Sequence, residues 1–315
     1  MEFEKLLLAV GALTSLYLLL WACSNLYTFL RPSSLPKYLN KSKGTYALVT
    51  GSTEGIGTAF ARELCKHGFN VVLHGRNPTK LSRLQATLQH EFPSRTIRTF
   101  VFDASLPTAD SLDAAIVRDH LNDIPLSILI NNVGGTHGQT SSPYLRLQDH
   151  TNDEVDRVIN VNARFMTQLT RALFPILARN GPALVINVSS VTSVGIPYLS
   201  VYAGTKAYVE AFTKAFAMEM EAEGIDIEAM CIISASVRTT GNPVASGLFI
   251  ATPEALARVA LARVGCGSAS IAPYLLHWLQ KLTLDYLPAR LMHRLVIYNI
   301  LLEKDKYERE MKRAT

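Results

Sequence analysis

The chain opens on one pattern and continues on another. From Leu6 to Leu30 there are 25 consecutive residues without a charge, dominated by Leu, Ala, Tyr and Trp. That run exceeds the roughly 20 residues a helix needs to cross the hydrocarbon of a bilayer, so residues 1–30 are expected to form one transmembrane helix. A cleaved signal peptide is the rival reading, but its apolar region would be only about 7–15 residues long and would end in small residues. This run ends Tyr27-Thr28-Phe29-Leu30-Arg31-Pro32. Residues 31–43, with Pro and Lys, read as a linker. Beyond it, short apolar runs alternate with amphipathic segments. The strands expected are Tyr46–Thr50, Asn70–Gly75, Thr96–Phe102, Ser127–Asn131, Ala183–Val188 and Asp226–Ile233. Helices are expected near Ile56–His67, Pro78–Glu91, Leu112–Leu121, Asp153–Ala178 and Tyr202–Glu223. This alternation predicts βαβ units on a parallel sheet, and right-handed crossovers make it a doubly wound α/β sheet, not a barrel. Gly68 is placed to cap the first helix of the series, and Asn77-Pro78 to open the second. The main domain is expected over residues 44–270. An apolar extension follows over 271–315, in which Tyr274–Leu279 and Leu291–Leu302 are too short to span and could pack on the domain or lie on a bilayer.

Composition narrows the class of partner. Across 315 residues, 48% are hydrophobic and 18% charged, which excludes a disordered, collagen-like or coiled-coil chain. The net charge of +5 comes from scattered basic residues with no arginine-rich or aromatic-interleaved stripe, so nucleic acid is not implied and a membrane surface is the better partner. Lys5 alone precedes the apolar run, whereas Arg31, Lys37, Lys41 and Lys43 follow it; the positive-inside bias then puts the main domain in the cytosol. Cys23, Cys65, Cys231 and Cys266 lie far apart with no C-x-x-C pair, and His137, His277 and His293 show no ligand spacing. Neither a disulfide framework nor a metal site is expected.

Candidate chemistry begins after the first strand. Thr50-Gly51-Ser52-Thr53-Glu54-Gly55-Ile56-Gly57 would give a tight turn, a close approach of backbone to a pyrophosphate, and a helix N-terminus facing the anion. The second strand ends His74-Gly75-Arg76-Asn77, about 20 residues on, where an NAD site would place an acid for the ribose 2′-hydroxyl. Arginine there suits a 2′-phosphate, so NADP(H) is expected over NAD(H). Tyr202 and Lys206 are four apart on one helix and therefore share a face. A cation beside a phenol favours the phenolate and would draw its pKa down from about 10 toward the working range of a general acid/base. Ser189 ends an apolar strand, from which its hydroxyl could reach a substrate oxygen; Ser190 is the alternative.

Gly51, Gly55 and Gly57, then Asn131-Asn132-Val133-Gly134, then Ser189, then Tyr202-Ala203-Gly204-Thr205-Lys206 together resemble the short-chain dehydrogenase/reductases, over roughly Gly44 to Thr240. The resemblance implies a Rossmann fold in which Tyr202 exchanges the proton, Ser189 orients the oxygen, Lys206 lowers the tyrosine pKa and holds the nicotinamide ribose, and Asn162 completes a relay. Ser189 is preferred because it precedes Tyr202 by 13 residues, as that family's serine does. The resemblance also gives cofactor-binding roles to Gly51, Ser52, Thr53, Gly55, Ile56 and Gly57, with Asp103 at the adenine, Asn132 stabilising the sheet and Thr239 at the nicotinamide carboxamide. The family's usual Pro-Gly after the sixth strand is missing from Cys231–Thr240, while Gly241-Asn242-Pro243 and Gly247 suggest a substrate lid.

The anchor and apolar tail resemble the microsomal branch of 17β-hydroxysteroid dehydrogenases and very-long-chain 3-oxoacyl-CoA reductases. That implies a single-pass protein of the endoplasmic reticulum membrane. It would interconvert a ketone and a secondary alcohol on a hydrophobic substrate with NADP(H), and could pair as a homodimer through its long helices. A ketoreductase tailoring a terpenoid or polyketide, and a non-catalytic nucleotide-binding scaffold, are the alternatives.

Overall fold

The computed structural model describes residues 2–106, 109–242 and 247–314. Seven strands, β1 (Tyr46–Val49), β2 (Asn70–Gly75), β3 (Ile97–Val101), β4 (Leu126–Asn131), β5 (Ala183–Ser190), β6 (Ile227–Ser234) and β7 (Ser270–Ile271), pair in the order β3-β2-β1-β4-β5-β6-β7, every pair parallel. The order reverses between β1 and β4, and such a switch point opens a crevice beyond the carboxyl ends of the strands.

The strands are mostly apolar because both faces are covered. Side chains alternate across the sheet, so Val49, Leu73, Ile130 and Ile186 join one core with α2 (Gly55–Lys66), α3 (Pro78–Glu91) and α8 (Pro253–Leu261). Leu48, Val72, Leu129 and Val185 join the other with α4 (Ala109–Arg118) and α6 (Phe165–Arg179). The expected punctuation is present. Gly68 takes φ +98° after α2, and the Asn77 side chain accepts from the Lys80 N–H to cap α3, with Pro78 at its first turn.

Three local departures matter. The single helix expected over Asp153–Ala178 is α5 (Asn152–Ile159), a π-helical turn at Asn160–Arg164, and α6. Strand β5 runs on to Ser190, two residues beyond the apolar run. Helix α8, capped by Thr252 with Pro253 in its first turn, and the two-residue β7 had no counterpart in the expected series, although the Thr-Pro signal stands in the sequence.

At the amino end, α1 (Glu2–Leu30) has no buried residue. Among the described residues it alone is long and apolar enough to cross a bilayer. The linker after it is docked, not loose. Leu35 and Tyr38 are buried, Ser33 Oγ donates to the Leu261 carbonyl at 2.6 Å, and Tyr38 Oη donates to Glu228 at 2.5 Å. Helix α7 (Ser200–Ala222) carries the tyrosine–lysine pair, and α9 (Leu275–Tyr286) and α10 (Ala289–Ala314) form the extension.

Candidate active site

The glycine loop sits at the end of β1, and its glycines answer two kinds of constraint. Gly51 and Gly55 have φ near +60°, which side chains disfavour. A Cβ on Gly57 would stand 2.2 Å from the Gly51 carbonyl oxygen. The loop is held from below by His74, whose Nδ1 accepts from the Gly51 N–H at 3.3 Å and whose backbone carbonyl accepts from Ser52 N at 3.0 Å and Ser52 Oγ at 3.1 Å. Burial pushes the His74 pKa down to about 4, so the ring stays neutral and keeps its acceptor nitrogen. Asn132 ties the loop to β4, donating through Nδ2 to the Thr50 carbonyl at 2.9 Å, while Thr50 Oγ1 accepts from the Asn132 and Val133 N–H groups at 2.8 and 3.0 Å. Ile56, the second residue of α2, turns inward and packs against the core beneath the loop.

Around this cradle lie the other expected cofactor residues. Thr53 packs on Gly75, where a Cβ would come 3.0 Å from its methyl. Arg76 is exposed at the end of β2, with its guanidinium beside Gly138 and no ion pair among the described residues. Asp103, just past β3, accepts from Ser105 N and Oγ at 2.9 and 2.8 Å. Thr239 lies against the glycine loop, its methyl 2.9 Å from where a Gly55 Cβ would be. The lost Pro-Gly therefore does not carry this segment away. Backbone bonds from Arg238 N to Ala251 O and from Ala251 N to Ser236 O, each 3.1 Å, close the loop at its base. Of the expected lid, Gly241 faces His137 across the crevice, and residues 243–246, Pro243 included, lie outside the described residues.

Helix α7 brings Tyr202 and Lys206 together as the spacing requires, with Nζ 5.6 Å from the tyrosine ring centre. Lys206 is buried, and Nζ donates to the Val188 carbonyl at 2.9 Å. Burial lowers its pKa to about 8. The expected depression of the Tyr202 pKa is not what the free protein has. Burial raises the phenol to about 12, opposed only by a hydrogen bond from the Ser190 side chain. Desolvation of the phenolate outweighs that hydrogen bond.

Ser189 and Ser190 separate clearly. As neighbours on β5 they face opposite ways. Ser189 Oγ donates to the Lys206 carbonyl at 2.9 Å and toward Glu210 at 3.2 Å, buried on the back of α7. Ser190 is the serine that meets the Tyr202 hydroxyl, its oxygen also accepting from Thr192 N–H at 3.2 Å. The 13-residue spacing that favoured Ser189 is thus corrected by geometry, because the alternation along β5 turns Ser189 under α7 and leaves Ser190 at the Tyr202 hydroxyl.

Asn162 lies in the π-helical turn. Its Oδ1 accepts from Gly135 N at 2.7 Å, and Nδ2 donates to the Gly135 and Val158 carbonyls, both at 2.9 Å. A Cβ on Gly134 would be 2.7 Å from Asn162 Oδ1 and 3.0 Å from Lys206 Nζ, so both side chains close on the same stretch of backbone. Beside Tyr202 a small hollow is lined by Thr140, Pro143, His150, Val158 and Tyr198. Tyr198 has φ +64°, a strained conformation of the kind that gathers at functional sites. Thr50, His74 and Tyr198 were not singled out from sequence as site residues, and Ser190 stood only as the alternative to Ser189. Only His74, a polar residue ending an apolar strand, offered a visible signal.

A family model described as short chain dehydrogenase matches residues 45–244. The chain belongs to the short-chain dehydrogenase/reductase family, and is an oxidoreductase acting on CH–OH and C=O groups. A very-long-chain 3-oxoacyl-CoA reductase-like protein of Arabidopsis thaliana is 34% identical over 272 residues, covering 84% of this chain and 82% of the relative. Very-long-chain 3-oxoacyl-CoA reductase-B of Danio rerio is 27% identical over 319 residues, 99% of each chain. Among solved structures, a short-chain dehydrogenase from Sphingobium yanoikuyae in complex with NADPH superposes with a TM-score of 0.62 at 24% identity, over 73% of this chain and 88% of that one. The relatives place the chain in the branch its sequence resembles.

Proposed function

We propose that this protein is a membrane-anchored NADP(H)-dependent reductase that converts the ketone of a hydrophobic substrate, a long-chain 3-oxoacyl-CoA before a steroid, into a secondary alcohol. The observation that carries the reading is the meeting of Ser190 and Lys206 at Tyr202, beside a glycine loop whose backbone leaves no room for side chains. The names of the relatives support the acyl-CoA substrate. The charge-free run Leu6–Leu30 of α1, with Arg31, Lys37, Lys41 and Lys43 beyond it, supports a single span in the endoplasmic reticulum membrane with the catalytic domain in the cytosol.

The residues fit a dinucleotide. Gly51 to Gly57 and the N-terminus of α2 would take the pyrophosphate, Arg76 the ribose 2′-phosphate, Asp103 the adenine side, and Lys206 and Thr239 the nicotinamide end. When bound, the reduced nicotinamide supplies the hydride for the carbonyl carbon. Tyr202 supplies the proton to the oxygen. Its high pKa keeps the phenol protonated at neutral pH, so it enters the reductive direction loaded. Ser190 holds the same oxygen and the tyrosine together. Lys206, with Nζ among Val188, Gly134 and Asn162, stabilises the tyrosinate left behind and connects it to the relay that returns its proton.

Three outcomes follow. Ser190→Ala lowers kcat by about 10²-fold, as loss of an oxyanion-orienting donor does, whereas Ser189→Ala, which leaves Tyr202 untouched, stays within a few-fold; the reverse order would return the role to Ser189. Arg76→Asp shifts the ratio of kcat/KM for NADPH over NADH toward NADH by about tenfold or more, and an unchanged ratio would count against Arg76. For Lys206 the sign is set by burial: the ammonium is charged below about pH 8 and neutral above it. NADPH affinity of the free protein, titrated by fluorescence, accordingly falls as the pH rises through about 8, and a flat profile would remove Lys206 from the cofactor site.

A further inference from the structure

We propose that α9 and α10 form a second membrane-contacting surface, lying in the plane of the bilayer beside α1 and setting the mouth of the catalytic cleft at the lipid surface. The inference rests on the reading of α1 as a bilayer span and goes beyond it, because α9 and α10 are too short in uninterrupted apolar length to cross.

Helix α10 is apolar on two opposite sides. Its inner side packs on the domain through Val296 and Ile300, each 9% exposed. The outer side repeats Leu291, Leu295, Tyr298 and Leu302 at helical spacing, exposed by 39% to 64%. On α9, His277 and Trp278 turn inward, His277 accepting from Ala235 N at 3.1 Å, while Leu275 and Leu279 stand 55% and 41% exposed. Helices facing water on that side would carry charge there. At the start of the stripe stand Arg290 and Arg294, both exposed and without an ion pair among the described residues, which suits anionic lipid headgroups at the edge of a buried apolar face; past its end Asp305 is paired with Arg309.

Continuity with α1 names the occupant. Trp21 stacks on Trp278 with ring centres 6.4 Å apart and meets Tyr286 edge-on at 6.2 Å, and Phe29 meets Trp278 at 5.7 Å. Trp21 is where α1 first touches the body, the preceding residues being exposed throughout. Tryptophan and tyrosine prefer the boundary between hydrocarbon and headgroups. The stretch of α1 that meets the body, from Trp21 to Phe29, therefore puts the bilayer surface at the level of α9. The far end of α10 returns to the catalytic cleft: Tyr307 packs on Tyr144 at 5.7 Å, and Lys304 lies 4.9 Å over the Tyr198 ring. A substrate dissolved in the acyl chains would reach Tyr202 without crossing bulk water.

The test uses the full chain in nanodiscs of phosphatidylcholine with phosphatidylserine. Cys23 is replaced by Ser, since the other three cysteines are buried. Single cysteines at Leu279, Leu295, Leu13 in α1 and exposed Thr87 on α3 then carry an environment-sensitive fluorophore, and retained NADPH binding reports the fold of each. Emission from positions 279 and 295 is expected to be lost to nitroxide-labelled lipid and shielded from aqueous iodide, as at Leu13 and opposite to Thr87. Iodide quenching at 279 and 295 with lipid quenching at Leu13 would overturn the surface alone. Iodide quenching at Leu13 as well would overturn the span and this proposal with it. Shielding from both quenchers that disappears on dilution to one protein per disc would show a second copy on the face and likewise overturn it.

Discussion

Replacing Tyr202 with Phe should lower kcat by about 10²–10⁴-fold, the range a positioned proton donor contributes, and leave NADPH affinity within a few-fold. The phenol oxygen is the one atom removed, and the fold does not depend on it: its partner is Ser190, itself bonded to Thr192 N–H, and the ring keeps its place beside Lys206. Single-turnover kinetics with pre-bound NADPH isolates the chemical step. A rate within a few-fold of the wild type would show that the proton comes from elsewhere. Equal loss of NADPH affinity would show instead that the tyrosine is part of the cofactor's seat.

Gly57→Ala should act on the other half of the site. A methyl group there would stand 2.2 Å from the Gly51 carbonyl oxygen and 2.8 Å from Asn132 Nδ2. Both neighbours belong to the loop and its tether, and neither is the free end of a flexible side chain. Overpacking of this kind costs about 1–3 kcal/mol, a factor of roughly 5–150 in affinity when it falls on the loop that binds the nucleotide. NADPH titration should read that loss. The control is Gly204→Ala on α7, where a Cβ meets nothing within 4 Å and the site is exposed; there alanine gains helix propensity, and affinity should hold. Comparable loss at both positions would mean that general destabilisation, not the geometry of the cradle, is being measured.

Most of the architecture could be read from the chain because the constraint that shapes it is local. Strands covered on both faces are mostly apolar and lose the polar-apolar alternation, so runs such as Ser127–Asn131 and Ala183–Val188 declare themselves. Gly51, Gly55 and Gly57 are read from spacing because a cradle for an anion needs bare backbone at those points, and Tyr202 and Lys206 because four residues make about one helical turn. What escaped depends on relations across the fold. Which of Ser189 and Ser190 meets Tyr202 is decided by where β5 ends, one residue either way reversing the face. His74 acquires its role from Gly51, 23 residues earlier, and the π-helical turn that aims Asn162 leaves no mark on the apolar period. The pKa of Tyr202 was expected to fall with a cation nearby, but burial, which no local pattern measures, sends it up. The tail was open between packing on the domain and lying on lipid; in α10 the two sides of one helix are apolar, and the inner side packs.

The most direct measurement is turnover by the detergent-solubilised full chain with NADPH and a long-chain 3-oxoacyl-CoA, a steroid ketone run in parallel, and Tyr202→Phe as the blank. The expected result is NADPH consumed mole for mole with 3-hydroxyacyl-CoA formed, faster than with the steroid and absent in the variant. NADPH that binds tightly but is consumed with neither ketone, in wild type and variant alike, would contradict the reductase assignment and leave a nucleotide-binding protein without this chemistry.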